Sequence, residues 1–227
     1  MTILIAATLS NCSILAADSR RLNVTQGTAT EAVKIRQIAP NLVAAKFGYA
    51  GIEGDAIWEK IMALPPETFA DITELLPQVS EIGRPIYEER SAWAHENGFG
   101  DYGYTLLLAS FDDRNGPGIH YIDWKMDAGV PASYFTRLDG AKVIAQGPNG
   151  AQQTTHSAIE RSIRLVGQQA TVTVNRWVTE VVGWSAAVDP DRCALPAYVC
   201  VVDASGVSGP NRLTGHESSL DEVMVLL

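Results

Sequence analysis

The sequence contains few cysteines and an excess of acidic over basic residues, and both features narrow its function. Its three cysteines, Cys12, Cys193 and Cys200, show no metal-ligand spacing, and an odd number does not suggest a disulfide framework. We therefore expect a reducing, cytoplasmic compartment. The chain has 17 lysines and arginines but 26 aspartates and glutamates, and its net charge of −9 argues against binding to a phosphate backbone.

Long apolar runs and several functional motifs are also missing. No apolar run reaches the roughly 18 residues that a membrane-spanning helix needs. The apolar start has no basic residue before it, since Arg20 and Arg21 come after it, so it favours a strand over a signal peptide. The four histidines are scattered, and the sequence has no phosphate-binding glycine loop and no Gly-x-Ser-x-Gly elbow. We expect no metal and no cofactor.

Apolar periodicity and turn residues predict blocks of strands that alternate with blocks of helices. The predicted strands are 2–8, 12–17, 32–38, 42–47, 104–110, 119–125, 132–137, 142–145, 198–202 and 222–227. The predicted helices are one that begins in 51–55 and stops at Pro65, followed by 66–79, 85–97, 152–166 and 170–185. Segregated blocks of this kind predict an α+β chain. No repeat or linker is present, so we expect residues 1–227 to form a single domain.

Four residues in the first quarter of the chain form a chemically coherent set. Thr2 becomes the N-terminus if Met1 is removed, and its free amine, with a pKa of roughly 7.7–8.0, could act as the base for its own hydroxyl. A nearby ammonium would favour deprotonation of both groups, and Lys34 is the candidate. A buried lysine needs a carboxylate, which Asp18 could supply. Gly48 would let a backbone N–H approach a substrate carbonyl closely.

The spacing of Thr2, Asp18, Lys34 and Gly48 resembles the catalytic half of proteasome β-type subunits and their bacterial relatives, which are N-terminal threonine hydrolases. The resemblance implies a four-layer αββα sandwich of the N-terminal nucleophile hydrolase type. It also implies a role for each residue. Thr2 would be the nucleophile and, through its amine, the base. Lys34 would favour deprotonation of the hydroxyl and the amine of Thr2, and Asp18 would orient Lys34. Gly48 would donate its backbone N–H to the oxyanion.

Two supporting motifs of that family are altered here. The family has Asp-x-x-Ser-Gly after the last long helix, but this chain reads Asp-Pro-Asp-Arg-Cys-Ala over 189–194, with no serine at the expected offset. Asp189 or Asp191 could still supply the carboxylate. A Gly-Ser-Gly turn of the family is replaced by Gly-Pro-Asn-Gly over 147–150, where Asn149 could substitute as a hydrogen-bonding side chain.

Three basic residues match pocket positions of the family. Lys46 lies two residues before Gly48, at the position that forms the base of the pocket for the residue preceding the cleaved bond, and Arg21 and Arg36 match other pocket positions. These residues favour a basic pocket that prefers an acidic substrate side chain. An equally good interpretation is that they are solvated charges on a strand face.

The sequence thus predicts a threonine peptidase of a self-compartmentalising, proteasome-like assembly. The resemblance implies a homo-oligomeric ring or open helical assembly, with an ATP-dependent unfoldase as a candidate partner and peptides or unfolded proteins as substrates. Two alternatives remain open. The missing serines favour a non-catalytic assembly subunit, whereas the intact Thr2, Asp18 and Lys34 disfavour it. An amidase acting on a small non-peptide substrate would use the same residues.

Overall fold

The computed structural model describes residues 2–23, 27–47, 56–98, 104–127, 130–138, 141–146, 172–191, 193–215 and 224–225. The first strands are β1 (Thr2–Thr8), β2 (Cys12–Asp18), β3 (Arg20–Asn23), β4 (Thr28–Glu31), β5 (Ile35–Ala39), β6 (Leu42–Phe47) and β7 (Tyr104–Asp112). The later strands are β8 (Gly116–Asp127), β9 (Val130–Leu138), β10 (Ala141–Gln146), β11 (Val172–Thr173), β12 (Ala197–Asp203), β13 (Gly206–Leu213) and β14 (Met224–Val225). The α-helices are α1 (Ala56–Met62), α2 (Ile72–Glu96) and α3 (Val174–Val188), and a 3-10 helix covers Pro66–Ala70.

Most strands belong to two five-stranded antiparallel sheets. The first sheet has the order β10-β1-β2-β12-β13, and the second has the order β5-β6-β7-β8-β9. Two further pairs, β3 with β4 and β11 with β14, form separate two-stranded ribbons. The strands predicted over 2–8 and 12–17 are confirmed, and as β1 and β2 they form an antiparallel hairpin with Leu4 opposite Ala17.

The sheets pack face to face, which explains the apolar character of the first strand on both of its sides. Leu4 and Ala6 of β1 face the second sheet, where they join a buried cluster with Leu107 of β7. Ile3 and Ile5, which alternate with them, join a cluster on the other face of the first sheet that includes the residues of α3. Residues of α1 and α2 form a third buried cluster with the outer face of the second sheet.

The predicted four-layer αββα sandwich is wrong for this chain. Antiparallel sheets dominate the described structure, and three α-helices accompany them. That architecture was an implication of the family resemblance, and the helices predicted in the middle of the chain also differ from the structure. Segments 66–79 and 85–97 were predicted as two helices, but a 3-10 helix and one continuous helix, α2, replace them. The predicted helix 152–166 lies outside the described residues.

The sequence underestimates the length of α2, because two prolines inside the helix suggest breaks that do not occur. Pro77 and Pro85 each lack the N–H that an α-helix uses, so both signal a break. The buried residues of α2, among them Leu75, Val79 and Tyr87, pack against the second sheet, and this packing outweighs the local preference. The predicted stop at Gly98 is confirmed: the helix ends at Glu96, and Gly98 has a φ of 72°.

Two other boundaries differ from the prediction. The helix predicted over 170–185 begins at Val174, because the Thr173 side chain accepts a hydrogen bond from the backbone N–H of Arg176 and caps it. The strand predicted over 222–227 is the short β14, which pairs with β11 rather than with either large sheet. Among the described helices, none is long and apolar enough to cross a membrane.

Candidate functional site

Asp18 is the last residue of β2, and its side chain is completely buried. Its carboxylate accepts hydrogen bonds from the backbone N–H of Ile3 at 2.9 Å and from the backbone N–H of Arg20 at 3.0 Å. The ammonium of Lys34 donates to it as well, at 2.7 Å. A buried carboxylate is tolerated when charge and hydrogen bonds compensate it. Asp18 therefore joins three segments of the chain next to the beginning of β1.

Lys34 lies immediately before β5, so the strand predicted over 32–38 begins too early. Its Nζ is 2.7 Å from Oδ1 of Asp18, and 11% of its side chain is exposed. Burial lowers the pKa of Lys34, because water no longer stabilises the ammonium. The carboxylate of Asp18 acts in the opposite direction and favours the charged form. The ion pair thus holds a cation in a largely dry environment.

The structure describes the predicted nucleophile only in part. Thr2 is the first residue of β1, paired with Gln146 of β10, and its side chain lies outside the described structure. Gly48 and Asn149 lie wholly outside the described residues. The described site therefore consists of Asp18, Lys34 and the backbone at the beginning of β1.

The two predicted supporting aspartates occupy different environments at the end of α3. Asp189 is the C-cap of that helix, and its backbone N–H donates to the carbonyl of Ser185 at 2.9 Å. Asp191 is exposed, and its backbone carbonyl accepts a hydrogen bond from Nε of Arg20 at 2.8 Å. Asp191 thus reaches the site through its main chain, whereas Asp189 lies closer to the buried interior.

Cys193 is a site residue that the sequence reasoning missed. Its side chain is fully buried, and its Sγ is 3.9 Å from the carbonyl oxygen of Val182 in α3. Burial, reinforced by the nearby carboxylate of Asp18 and opposed by Lys34, raises the pKa of this thiol to about 12. The thiol is therefore neutral and lies within electrostatic reach of the ion pair. A signal was present, since Cys193 lies in the segment that replaces the serine motif.

Two of the three predicted pocket residues come together on one tryptophan. Nζ of Lys46 lies 5.6 Å from the ring centroid of Trp58, and Cζ of Arg36 lies 5.8 Å from it. Trp58 belongs to α1 and is buried, whereas Arg36 is exposed and Lys46 is half-buried. Arg21, the third residue, is exposed on β3. The arrangement concentrates positive charge near the end of β6, directly before Gly48 in the chain.

A second buried polar cluster lies in the second sheet. Nε2 of His120 is 3.3 Å from Oγ of Ser110, and that hydroxyl is also 3.4 Å from the carbonyl oxygen of Gly118. Burial lowers the pKa of His120 to about 4, and Arg137 lowers it further. No carboxylate is among the causes of this shift. The described geometry is that of a neutral, buried histidine satisfied by its neighbours.

Neither a metal-ligand group nor a similar known protein assigns a function to this site. Within the described residues, no group of three or more His, Cys, Asp and Glu side chains could hold a metal ion. Comparison with protein-family models and with curated proteins found no match. The chemistry of the site must therefore be argued from its own residues.

Proposed function

We propose that this chain is an N-terminal threonine hydrolase, a peptidase of a self-compartmentalising, proteasome-like assembly. One observation carries the proposal. The buried ion pair of Lys34 and Asp18 shares its carboxylate with the backbone N–H of Ile3, the residue that follows Thr2. A cation and a carboxylate fixed beside the first residues of β1 are the groups that an N-terminal nucleophile needs. The proposal concerns the chemistry of the site and does not depend on a four-layer architecture.

The proposed reaction begins after Met1 is removed. The α-amine of Thr2 takes the hydroxyl proton as Oγ1 attacks the carbonyl carbon of the substrate, forming a tetrahedral intermediate. The ammonium of Lys34 disfavours added positive charge nearby, so it favours the neutral amine that acts as base. Asp18 keeps Lys34 charged and oriented. The amine then protonates the leaving group, and water hydrolyses the acyl-enzyme.

Other residues have proposed supporting roles. The backbone N–H of Gly48 would stabilise the oxyanion, and loss of one such donor typically costs about 100- to 1000-fold in rate. Asp189 is the better of the two aspartates for support near Thr2, because it lies beside the buried Cys193 while Asp191 is exposed. Asn149 would supply a hydrogen-bonding side chain. This chemistry requires neither a metal nor an organic cofactor.

The proposed substrates are peptides or unfolded proteins with an acidic residue before the cleaved bond. The supporting observation is the pair of cations, Arg36 and Lys46, on the ring of Trp58. Arg21 would add a third positive charge. Profiling with fluorogenic peptides tests this preference, and equal or faster cleavage after apolar residues would contradict it. By analogy with the family, the chain would work in the cytoplasm as a homo-oligomeric ring or helical assembly that an ATP-dependent unfoldase feeds.

A non-catalytic assembly subunit is the second candidate, and a specific observation favours it. The segment that should carry the supporting serine instead places the buried, neutral thiol of Cys193 beside the ion pair. A thiol is a weaker hydrogen-bond donor than a hydroxyl. An amidase acting on a small non-peptide amide would use the same site residues, so substrate profiling must include such amides.

The intact mass of the purified protein, with and without an electrophilic inhibitor directed at threonine, tests the proposal. We expect loss of Met1 and one adduct per chain in the wild type, and no adduct in Thr2→Ala. Lys34→Met should react at least about 100-fold more slowly than the wild type, since activation of the nucleophile is lost. A retained methionine without an adduct would favour the non-catalytic subunit.

A further inference from the structure

The junction between β2 and β3 joins parts of the chain that are far apart in sequence. The carboxylate of Asp18 accepts from β1, from Arg20 and from Lys34. The backbone carbonyl of Ser19 accepts from the N–H of Ala32, just ahead of Lys34, at 2.8 Å. The same two residues, Ser19 and Arg20, also reach the segment 189–194. The junction therefore links the ion pair to the end of α3.

Two hydrogen bonds connect the junction to that segment, and they differ in quality. The backbone N–H of Ser19 lies 3.4 Å from the carbonyl oxygen of Ala194, a long and weak hydrogen bond. Nε of Arg20 lies 2.8 Å from the carbonyl oxygen of Asp191, and its donor carries a charge. The side chain of Arg20 is thus the stronger of these two connections.

Residues 189–191 and 193–194 include the buried Cys193, which lies near the ion pair. The backbone N–H of Cys193 donates to the carbonyl of Asp189 at 3.2 Å, so the turn is continuous with the end of α3. The side chain of Cys193 is fully buried and lies within electrostatic reach of Asp18 and Lys34. If these residues moved away, Cys193 would become accessible to water.

We propose that Arg20 is a positioning residue for the site: its guanidinium holds Asp191, and with it the nearby buried Cys193, in place next to the Asp18–Lys34 pair. The role in the reaction rests on the proposed function, whereas the role in holding these residues in place does not. Arg20→Ala removes the side-chain hydrogen bond to Asp191 and keeps the backbone N–H that Asp18 accepts. The variant therefore releases Asp191 without removing a partner of the carboxylate.

The rate at which the buried thiols react measures whether Arg20 keeps the residues around Cys193 closed, and it needs no assay of enzymatic activity. The protein is treated with a thiol-alkylating reagent, and peptide mass spectrometry follows Cys193, Cys12 and Cys200 separately. All three cysteines are buried, so faster labelling of Cys12 and Cys200 would indicate a general loosening of the fold. We expect Cys193 in Arg20→Ala to react about fivefold to tenfold faster than in the wild type, the effect of losing one partly solvated hydrogen bond. The other two rates should not change.

A neighbouring arginine provides the matched control. Arg21→Ala removes the same charge from the adjacent position of β3 and should leave the labelling of Cys193 unchanged. Arg20→Lys keeps a cationic donor and should recover most of the protection. Equal labelling of Cys193 in the Arg20 and Arg21 variants would overturn the proposal. An equal increase at all three cysteines would overturn it too, because Arg20 would then stabilise the whole fold.

Kinetics test the second half of the proposal. With a cleavable substrate, Arg20→Ala should lower kcat about tenfold and leave KM unchanged, since the ion pair and not substrate binding is disturbed. Unchanged kcat with faster labelling of Cys193 would overturn the positioning role and leave the proposed function intact. A wild type that forms no Thr2 adduct would refute the proposed function, while the labelling result would still decide how the segment is held.

Discussion

At the scale of single residues, the site depends on one buried carboxylate. Asp18 has no exposed surface, yet it accepts two backbone N–H groups and the ammonium of Lys34. Each partner offsets part of the cost of removing the charge from water. Lys34 has fewer compensations, and burial lowers its pKa while Asp18 opposes that effect. The ammonium is therefore more dependent on the pair than the carboxylate is.

Asp18→Asn should show this dependence directly. The amide keeps the shape of the side chain but leaves a buried ammonium without its counter-charge, so we expect a loss of about 3 kcal/mol in the free energy of unfolding. The pKa of Lys34 should fall further. Urea unfolding of Asp18→Asn, Lys34→Met and the double variant measures the coupling. The double variant should lose less stability than the two single losses added together, and strict additivity would contradict a coupled pair.

His120 predicts a pH dependence of stability. Its pKa is about 4 in the folded protein, below the value of roughly 6.5 expected when unfolded, so the unfolded state binds more protons between these values. Stability is fully present above pH 6.5 and is lost as pH falls toward 4. We expect a loss of about 2 kcal/mol between pH 7 and pH 5 from this group. His120→Gln should remove that part of the dependence, and an unchanged slope in urea unfolding would argue against it.

At the scale of elements, two helical glycines occupy opposite environments. A Cβ on Gly83 of α2 would clash with the indole ring of Trp124, which is fully buried and donates from Nε1 to the carbonyl of Ser80. A Cβ on Gly183 of α3 would meet Leu195 at 3.6 Å, an ordinary contact. The absence of a side chain is therefore a packing requirement in α2 and a cost in α3.

Alanine substitutions at these glycines should change stability in opposite directions. Gly83→Ala forces Trp124 or α2 to move, and overpacking of this kind costs about 1–3 kcal/mol. Gly183→Ala gains helix propensity without a clash and should add about 0.5–1 kcal/mol. Thermal and urea unfolding of the matched pair measures both effects. A stabilised Gly83→Ala would show that the contact with Trp124 relaxes freely.

The elements also show which predictions a sequence can support. The strands β1 and β2 were predicted correctly because their runs of β-branched and small apolar residues, and the turn residues Ser10 and Asn11 between them, are local signals. The prolines of α2 misled the prediction, because packing against the sheet outweighs a local penalty. No strand is predicted between 17 and 32, but β3 and β4 form a ribbon there. That pairing joins polar residues, which carry no apolar period.

The site was predictable where its residues lie close in sequence. Asp18 and Lys34 were expected to pair and do so. The contributions of Arg20 and Cys193 come from contacts between the two ends of the chain, and no local pattern encodes them. The four-layer architecture failed because it was carried over from a family resemblance, whereas the placement of helices depends on packing that single segments do not specify.

At the scale of the whole molecule, the cluster between the sheets joins two outer clusters that share no helix. Leu15 of β2 and Leu107 of β7 are both fully buried in it. Separating the two five-stranded sheets would expose this buried apolar surface to water, so we expect both sheets to unfold together. A single domain over residues 1–227 was predicted from the sequence and remains a prediction.

Hydrogen exchange tests this coupling. Amides of β2 and β7 should exchange only through global unfolding, with the same free energy of opening and the same dependence on urea. Mass spectrometry of peptides from the two strands provides the measurement, with the exposed ribbon of β3 and β4 as a fast-exchanging reference. A lower free energy for one strand would show that its sheet opens independently.

The hydrogen bond between Arg20 and Asp191 also has a consequence for biosynthesis. A ribosome produces Asp18 and Lys34 early, but Asp191 and Cys193 follow only after roughly 10–30 seconds at ordinary rates of translation. During that interval the nascent chain carries both charges without β12, the strand that pairs with β2, and without the hydrogen-bond partner of Arg20. A truncated product that ends before residue 189 would retain the charges and lack their shelter. Completion of translation would thus decide when the pair becomes shielded from water.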